Sequence, residues 1–142
     1  MNDSTIPSWF NGVAFAVIAW NIIGVMQYLV HVSISPEVLA TMSTAERDLI
    51  MNMPDWAVAA FAIAVFTGVL ASVLLFIKKS LALQLFLVSL LAVLVQNTYA
   101  FFMSNSIEVM GIAAVIVPVV VLTIGVLEIW FCLHAKQNGW IK

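Results

Sequence analysis

The sequence predicts an all-α membrane protein, an antiparallel bundle of four transmembrane helices that forms one domain over residues 1–142. Three observations favour this fold class. Hydrophobic residues make up 64% of the chain and charged residues only 8%, whereas an ordinary soluble domain is about 25% charged. Four apolar segments approach or exceed the roughly 20 residues that cross a bilayer core. Every Lys, Arg and Asp, and every Glu except Glu128, lies outside those segments.

The first predicted span has its polar residues on one side. The four spans cover residues 10–31, 56–77, 81–103 and 111–133. On a helix, the more polar residues of the first span share an arc of about 120°, and they are Trp20, Asn21, Gly24, Gln27, Tyr28 and His31. The opposite surface is entirely apolar. We therefore expect that surface to face the lipid bilayer and the polar stripe to face other helices.

The loop at residues 32–55 predicts two short helices lying on the outer membrane surface. The Ser-Pro-Glu sequence at 35–37 offers an N-cap, a proline at the first helical position and an acid in the first turn. The Ser-Thr-Ala-Glu sequence at 43–46 has the spacing of a capping box. Pro54 should stop the second short helix, and Asp55 should then cap the second span.

The remaining spans carry small residues at helical spacing. The loop at 78–80 is so short that the second and third spans must be antiparallel neighbours. The second span has a ridge of small residues at every fourth position, namely Ala60, Ala64, Gly68 and Ser72. The fourth span repeats small residues or proline every seven positions, at Gly111, Pro118, Gly125 and Cys132. Both patterns predict close helix packing, and Pro118 predicts a kink.

The basic residues predict the orientation in the membrane. Lys78 and Lys79 lie in the second loop and Lys136 and Lys142 in the C-terminal tail, whereas Arg47 lies on the other side. By the positive-inside rule, this asymmetry puts both termini in the cytoplasm. The formal net charge of −2 offers no basic surface, so no nucleic-acid partner is expected.

Catalytic and metal-binding signatures do not appear in the sequence. It contains no HExxH, GxSxG, phosphate-binding loop or CxxC motif. His31 and His134 belong near opposite membrane faces and cannot share one metal ion, and Cys132 is the single cysteine. We therefore expect neither an enzyme nor a resident metal or cofactor.

Polar side chains of the first and third spans suggest a substrate-binding site in the outer half of the bundle. The candidates are Asn21, Tyr28, His31, Gln96, Asn97 and Tyr99. Their amide, phenol and imidazole groups suit a polar small molecule. The alternative is that they form interhelical hydrogen bonds that only fix the packing, at about 0.6 kcal/mol per contact.

Glu128 is the only formal charge within a predicted span. An acidic residue at the centre of a transmembrane helix costs about 2.5–3.5 kcal/mol, and less near the ends. It is therefore retained either for proton coupling or as a structural charge. In the structural case, Lys79 and Gln84 at the same end of neighbouring helices are candidate partners, or the carboxylate snorkels to the interface.

Several short motifs resemble a group of small bacterial four-span inner-membrane proteins labelled as sugar transporters. These motifs are Trp20-Asn21-x-x-Gly24-Val25-x-x-Tyr28, Ser35-Pro36-Glu37, Pro54-x-Trp56, Gln96-x-x-Tyr99 and Gly139-Trp140. The resemblance extends over almost the whole chain. It implies a four-span fold, a location in the bacterial inner membrane, and transport or binding of a polar small molecule of the sugar type.

Two functional hypotheses follow. The first is a transporter or binder that works as a homo-oligomer, because four helices alone rarely enclose a pathway. The second is an accessory subunit whose small-residue seams dock on a larger membrane complex. A membrane enzyme is the least favoured class.

Overall fold

A computed structural model describes residues 5–142, and this part of the chain is helical, with seven α-helices and no strand. The helices are α1 (Phe10–Val32), α2 (Pro36–Thr41), α3 (Thr44–Met51), α4 (Asp55–Phe76), α5 (Leu81–Phe102), α6 (Ser106–Met110) and α7 (Ala113–Gln137). Four of them, α1, α4, α5 and α7, are long and apolar enough to cross a membrane. The predicted four-helix membrane bundle is therefore confirmed.

The two short helices in the first loop are also confirmed, together with their caps. The Ser35 hydroxyl accepts the backbone N–H of Val38 at the start of α2. At the start of α3, Ser43 and Glu46 form the predicted capping box. The predicted role of Asp55 is wrong, because Pro54 occupies the cap position and Asp55 is already the first helical residue, with no side-chain cap bond.

The segment between α5 and α7 departs from the predicted boundaries. The short helix α6, which lacks a side-chain cap, was not predicted from the sequence. Gly111 has φ +62° in the turn after α6, so it does not join the packing seam of the fourth span. The last helix continues to Gln137, beyond the predicted end at 133. Its last turn carries His134 and Lys136, whose side chains suit the negative end of the helix dipole.

The small-residue ridge of α4 packs between two helices. In the bundle α1 packs on α4, α4 on α5 and α5 on α7. The ridge residues Ala60, Ala64, Gly68 and Ser72 are all buried. The Ser89 hydroxyl on α5 donates to the carbonyl of Ala64 at 2.7 Å. A Cβ atom at Gly68 would overlap the Oδ1 atom of Asn21 on α1, so this glycine permits the close approach of the two helices.

Aromatic side chains close the end of the bundle at which α1 begins and α7 ends. Phe10 stacks on Phe131, with ring centroids 5.6 Å apart, and Trp140 meets Phe10 edge-on. The tail beyond α7 is tied to the loop between α4 and α5. The Ser80 N–H donates to the Lys142 carbonyl at 2.8 Å, and the Lys142 N–H donates to the Lys78 carbonyl at 2.9 Å. The second loop and the tail therefore lie at the same end of the bundle.

The apolar surface of α1 points away from the other helices, as predicted. Its most exposed side chains are Phe15, Ile23, Met26, Leu29 and Val30. Large apolar side chains are also exposed along the outer surfaces of α4, α5 and α7. Such surfaces are favourable only in contact with hydrocarbon, so these helices meet the lipid bilayer.

Candidate functional site

The four spanning helices enclose a cavity of about 420 Å³. This volume falls within the range of about 300–1,000 Å³ that is typical of small-molecule sites. Most of the wall is apolar, with three aromatic side chains, Trp20, Phe61 and Phe86. The polar side chains on the wall are Asn21, Gln27, Ser89, Gln96, Asn97 and Glu128.

A hydrogen bond between α1 and α7 lies on the cavity wall. The Asn21 Nδ2 group donates to Glu128 Oε1 at 2.7 Å and also to the Val17 carbonyl at 2.9 Å. Asn21 is 9% exposed and Glu128 7% exposed. The two donor hydrogens of the amide are thus both used, and the carboxyl group has a partner inside the bundle.

This pair corrects the expected partner of Glu128. The partners predicted from the sequence, Lys79 and Gln84, are both exposed at the surface of the bundle. Glu128 instead points inward, where α1 presents Asn21. The burial of Glu128 shows that it faces protein rather than lipid.

A second polar group lies on α5. Gln96 and Asn97, two of the residues predicted to share a site with Asn21, line the cavity together with it. The Asn97 Nδ2 atom is buried and has no hydrogen-bond partner among residues 5–142. An unpaired buried donor costs about 1–3 kcal/mol.

Three predicted site residues lie outside the cavity wall. Tyr28 packs edge-on against Phe61, with ring centroids 5.4 Å apart, and His31 lies against the same ring at 6.1 Å. The Tyr99 hydroxyl donates to the Asn52 carbonyl at 3.3 Å, on the side of the second loop helix. The structure therefore brings together Asn21, Gln96, Asn97 and Glu128, but not Tyr28, His31 and Tyr99.

Other lining residues were not chosen from the sequence as site residues. Trp20 and Gln27 belong to the polar stripe of α1, which was the signal that could have identified them. Ser89 lies one turn from Ala92 and two turns from Gln96 on the same side of α5, and this spacing was the signal that could have identified it. Phe61 and Phe86 carry no signal that separates them from other apolar residues of a membrane helix.

The cavity opens sideways between α1 and α7. No extensive backbone contact joins these two helices, which meet through Asn21 and Glu128 and through the aromatic cluster at one end. Ile23 on α1 and Val117 on α7 line the cavity, yet they are 52% and 60% exposed. They therefore mark the mouth of the cavity on a surface that faces the bilayer.

Comparison with other proteins adds no relative. The chain matches no protein-family model, no curated protein and no solved structure. Within residues 5–142, no group of three or more His, Cys, Asp or Glu side chains could hold a metal ion.

Proposed function

We propose that this protein is a transporter or binder that takes a small molecule into the cavity between its four spanning helices. The observation that supports this most directly is a mostly apolar cavity with convergent polar groups on α1, α5 and α7. Pockets of this kind, apolar with a few placed polar groups, are the usual form of small-molecule sites.

The state of the polar groups favours ligand binding over packing alone. If these groups served only to hold helices together, each should be paired within the bundle. Asn21 and Glu128 meet this expectation. Asn97 does not, because its Nδ2 atom is buried without a partner in the described chain.

The proposal places the protein in a bacterial inner membrane with both termini in the cytoplasm. The basic residues of the second loop and the tail support this orientation through the positive-inside rule. The backbone hydrogen bonds between the tail and the second loop, at Lys78, Ser80 and Lys142, support a common side for these two segments. The inner-membrane location itself rests on the sequence motifs.

An accessory subunit is the second candidate function. The incomplete closure between α1 and α7 supports it, because a helix of a larger membrane complex, or of a second copy, could cover the gap. Such a protein would leave a native membrane in a fixed ratio with a larger partner and would bind no small molecule alone.

Native mass spectrometry of the gently extracted protein tests the proposal. We expect a bound small molecule whose occupancy falls at least severalfold in Val121→Phe, because Val121 lines the cavity and the larger ring fills it. Val126→Phe is the matched control, since Val126 lies on the same helix with its side chain exposed.

Two outcomes would contradict the proposal. One is equal occupancy in the two variants, which would place the molecule outside the cavity. The other is an empty chain that co-purifies in a fixed ratio with a larger membrane complex, which would favour the accessory subunit.

A further inference from the structure

We infer that the cavity takes a cationic amphiphile, an alkyl or aryl amine whose charged head lies beside Glu128 and which enters from the bilayer between α1 and α7. This inference rests on the proposed function and names the class of ligand. It differs from the sugar-type molecule that the sequence motifs imply.

The charge of the wall favours a cation. Glu128 is the only acidic residue on it, and no Lys, Arg or His lines the cavity within the described chain. Asn21 bonds to Oε1 of the carboxyl group. The second oxygen, Oε2, has no hydrogen-bond partner among residues 5–142. A carboxylate in a cavity of low dielectric attracts a cation far more strongly than it would in water.

The aromatic part of the wall favours the same ligand. Trp20 immediately precedes Asn21 on α1 and lines the cavity together with Phe61 and Phe86. Aromatic faces attract organic cations, with Trp the strongest, and they also accept alkyl chains. A sugar would need many paired hydroxyl groups, and a mostly apolar wall leaves such groups unpaired.

Because the mouth of the cavity lies on a surface that faces lipid, we expect the ligand to be an amphiphile. Ile23 and Val117 mark an opening on the lipid-facing surface, away from the end closed by Phe10 and Phe131. A molecule that passes this opening must first dissolve in the bilayer. Its apolar part can then lie between α1 and α7 while its charged head reaches the buried carboxyl group.

Three probes that share one alkyl chain test the inference, namely octylamine, octan-1-ol and octanoate. Binding is measured by isothermal titration at neutral pH to the full chain in a neutral detergent. For the unmodified protein we expect octylamine to bind at least about tenfold more tightly than octan-1-ol, which corresponds to about 1.4 kcal/mol. Octanoate should bind most weakly.

The substitution Glu128→Gln should remove this preference. It keeps an acceptor for Asn21 but removes the negative charge, so octylamine and octan-1-ol should then bind within about twofold of each other. If this variant does not fold, Trp20→Leu replaces it. That variant should weaken the binding of octylamine more than that of octan-1-ol, since only the cation gains from the indole face.

The outcomes separate the inference from the proposed function. Equal affinities for octylamine and octan-1-ol, or an unchanged preference in Glu128→Gln, would overturn the cationic ligand while leaving the cavity as a binding site. Val121→Phe should abolish the binding of octylamine and Val126→Phe should not. Equal binding of octylamine in these two variants would place it outside the cavity and overturn the inference, whereas the proposed function is decided by the native-mass comparison of the same two variants.

Discussion

The hydrogen bond between Asn21 and Glu128 is the one polar contact that joins the first spanning helix to the last in the described chain. Hydrogen bonds of this kind in membrane proteins contribute about 0.6 kcal/mol on average and up to about 1.7 kcal/mol. We expect Asn21→Ala and Glu128→Ala each to lower the free energy of unfolding. The loss in the double variant should be smaller than the sum of the two single losses, by about the free energy of the hydrogen bond. Denaturant unfolding in mixed micelles measures this coupling, and strictly additive losses would contradict the bond.

Gly68 gives a second prediction at the residue scale. A Cβ atom there would overlap Asn21 Oδ1 and lie 3.2 Å from Ser89 Oγ. We expect Gly68→Ala to lower the free energy of unfolding by about 1–3 kcal/mol through overpacking. Gly12→Ala is the matched control, since nothing lies within 4 Å of its added methyl group. The control should be neutral or slightly stabilising, and a similar loss in both variants would contradict the close crossing.

The polar stripe of the first span predicted which residues face inward, but not what they contact. Asn21 is buried as the helical arc implied. Its partner Glu128 was missed because the sequence shows the depth of a residue in the membrane but not which helices are neighbours. Tyr28 and His31 lie at the C-terminal end of the stripe, where their rings pack against Phe61. The sequence contained no information on that aromatic contact.

At the scale of elements, the tail after α7 acts as part of the bundle. Trp140 is 8% exposed and packs against Trp9, Phe10 and His134. We expect Trp140→Ala to cost about 3–5 kcal/mol of unfolding free energy, as large cavities do. Trp130→Ala is the control, because Trp130 also stacks on His134 but is 61% exposed. Thermal unfolding in detergent should show a much smaller loss for the control, and equal losses would contradict the packing of the tail.

The capping box of α3 predicts a pH dependence in the first loop. Hydrogen bonds from the hydroxyl and the backbone N–H of Ser43 hold the pKa of Glu46 below its ordinary value. A carboxyl group whose pKa is lowered by folding stabilises the folded state at pH values above its ordinary pKa of about 4.3. This stabilisation is lost as the pH falls through the lowered pKa of the folded state. Below that pKa, the protection factors of the amide hydrogens at the start of α3, measured against their intrinsic exchange rates, should fall. Glu46→Gln keeps the box, so its protection factors should not show this acid-dependent fall. A fall of equal size in that variant would contradict the role of the carboxyl group.

The helices that the sequence predicted well are those whose signals are local. Both α2 and α3 begin at residues whose caps can be recognised over four positions. By contrast, α6 has five residues and no side-chain cap, so neither length nor capping distinguishes it from a turn. The end of α7 was placed too early because polar residues near a membrane surface end a span but not a helix.

At the scale of the whole molecule, the cavity results from uneven packing of the four helices. Small residues let α4 approach α1 and α5 closely, whereas α1 and α7 are joined by side chains and by the aromatic cluster at one end. The sequence predicted the close crossings from the spacing of small residues. It could not predict the gap, since that depends on the rotation and neighbours of complete helices.

The orientation of the bundle is the last prediction, and it concerns the molecule as a whole. Backbone hydrogen bonds between Lys78, Ser80 and Lys142 put the second loop and the tail at one end. Four of the five basic residues lie near that end, and Arg47 lies in the loop at the other. By the positive-inside rule, we expect a reporter fused after residue 142 to be active only in the cytoplasm, and one inserted in the loop 40–50 only outside. As a control, a variant in which glutamines replace Lys78 and Lys79 should weaken this bias, because the rule counts basic residues near the ends of spans. A tail reporter active only outside the membrane would show that the bundle is inserted the other way.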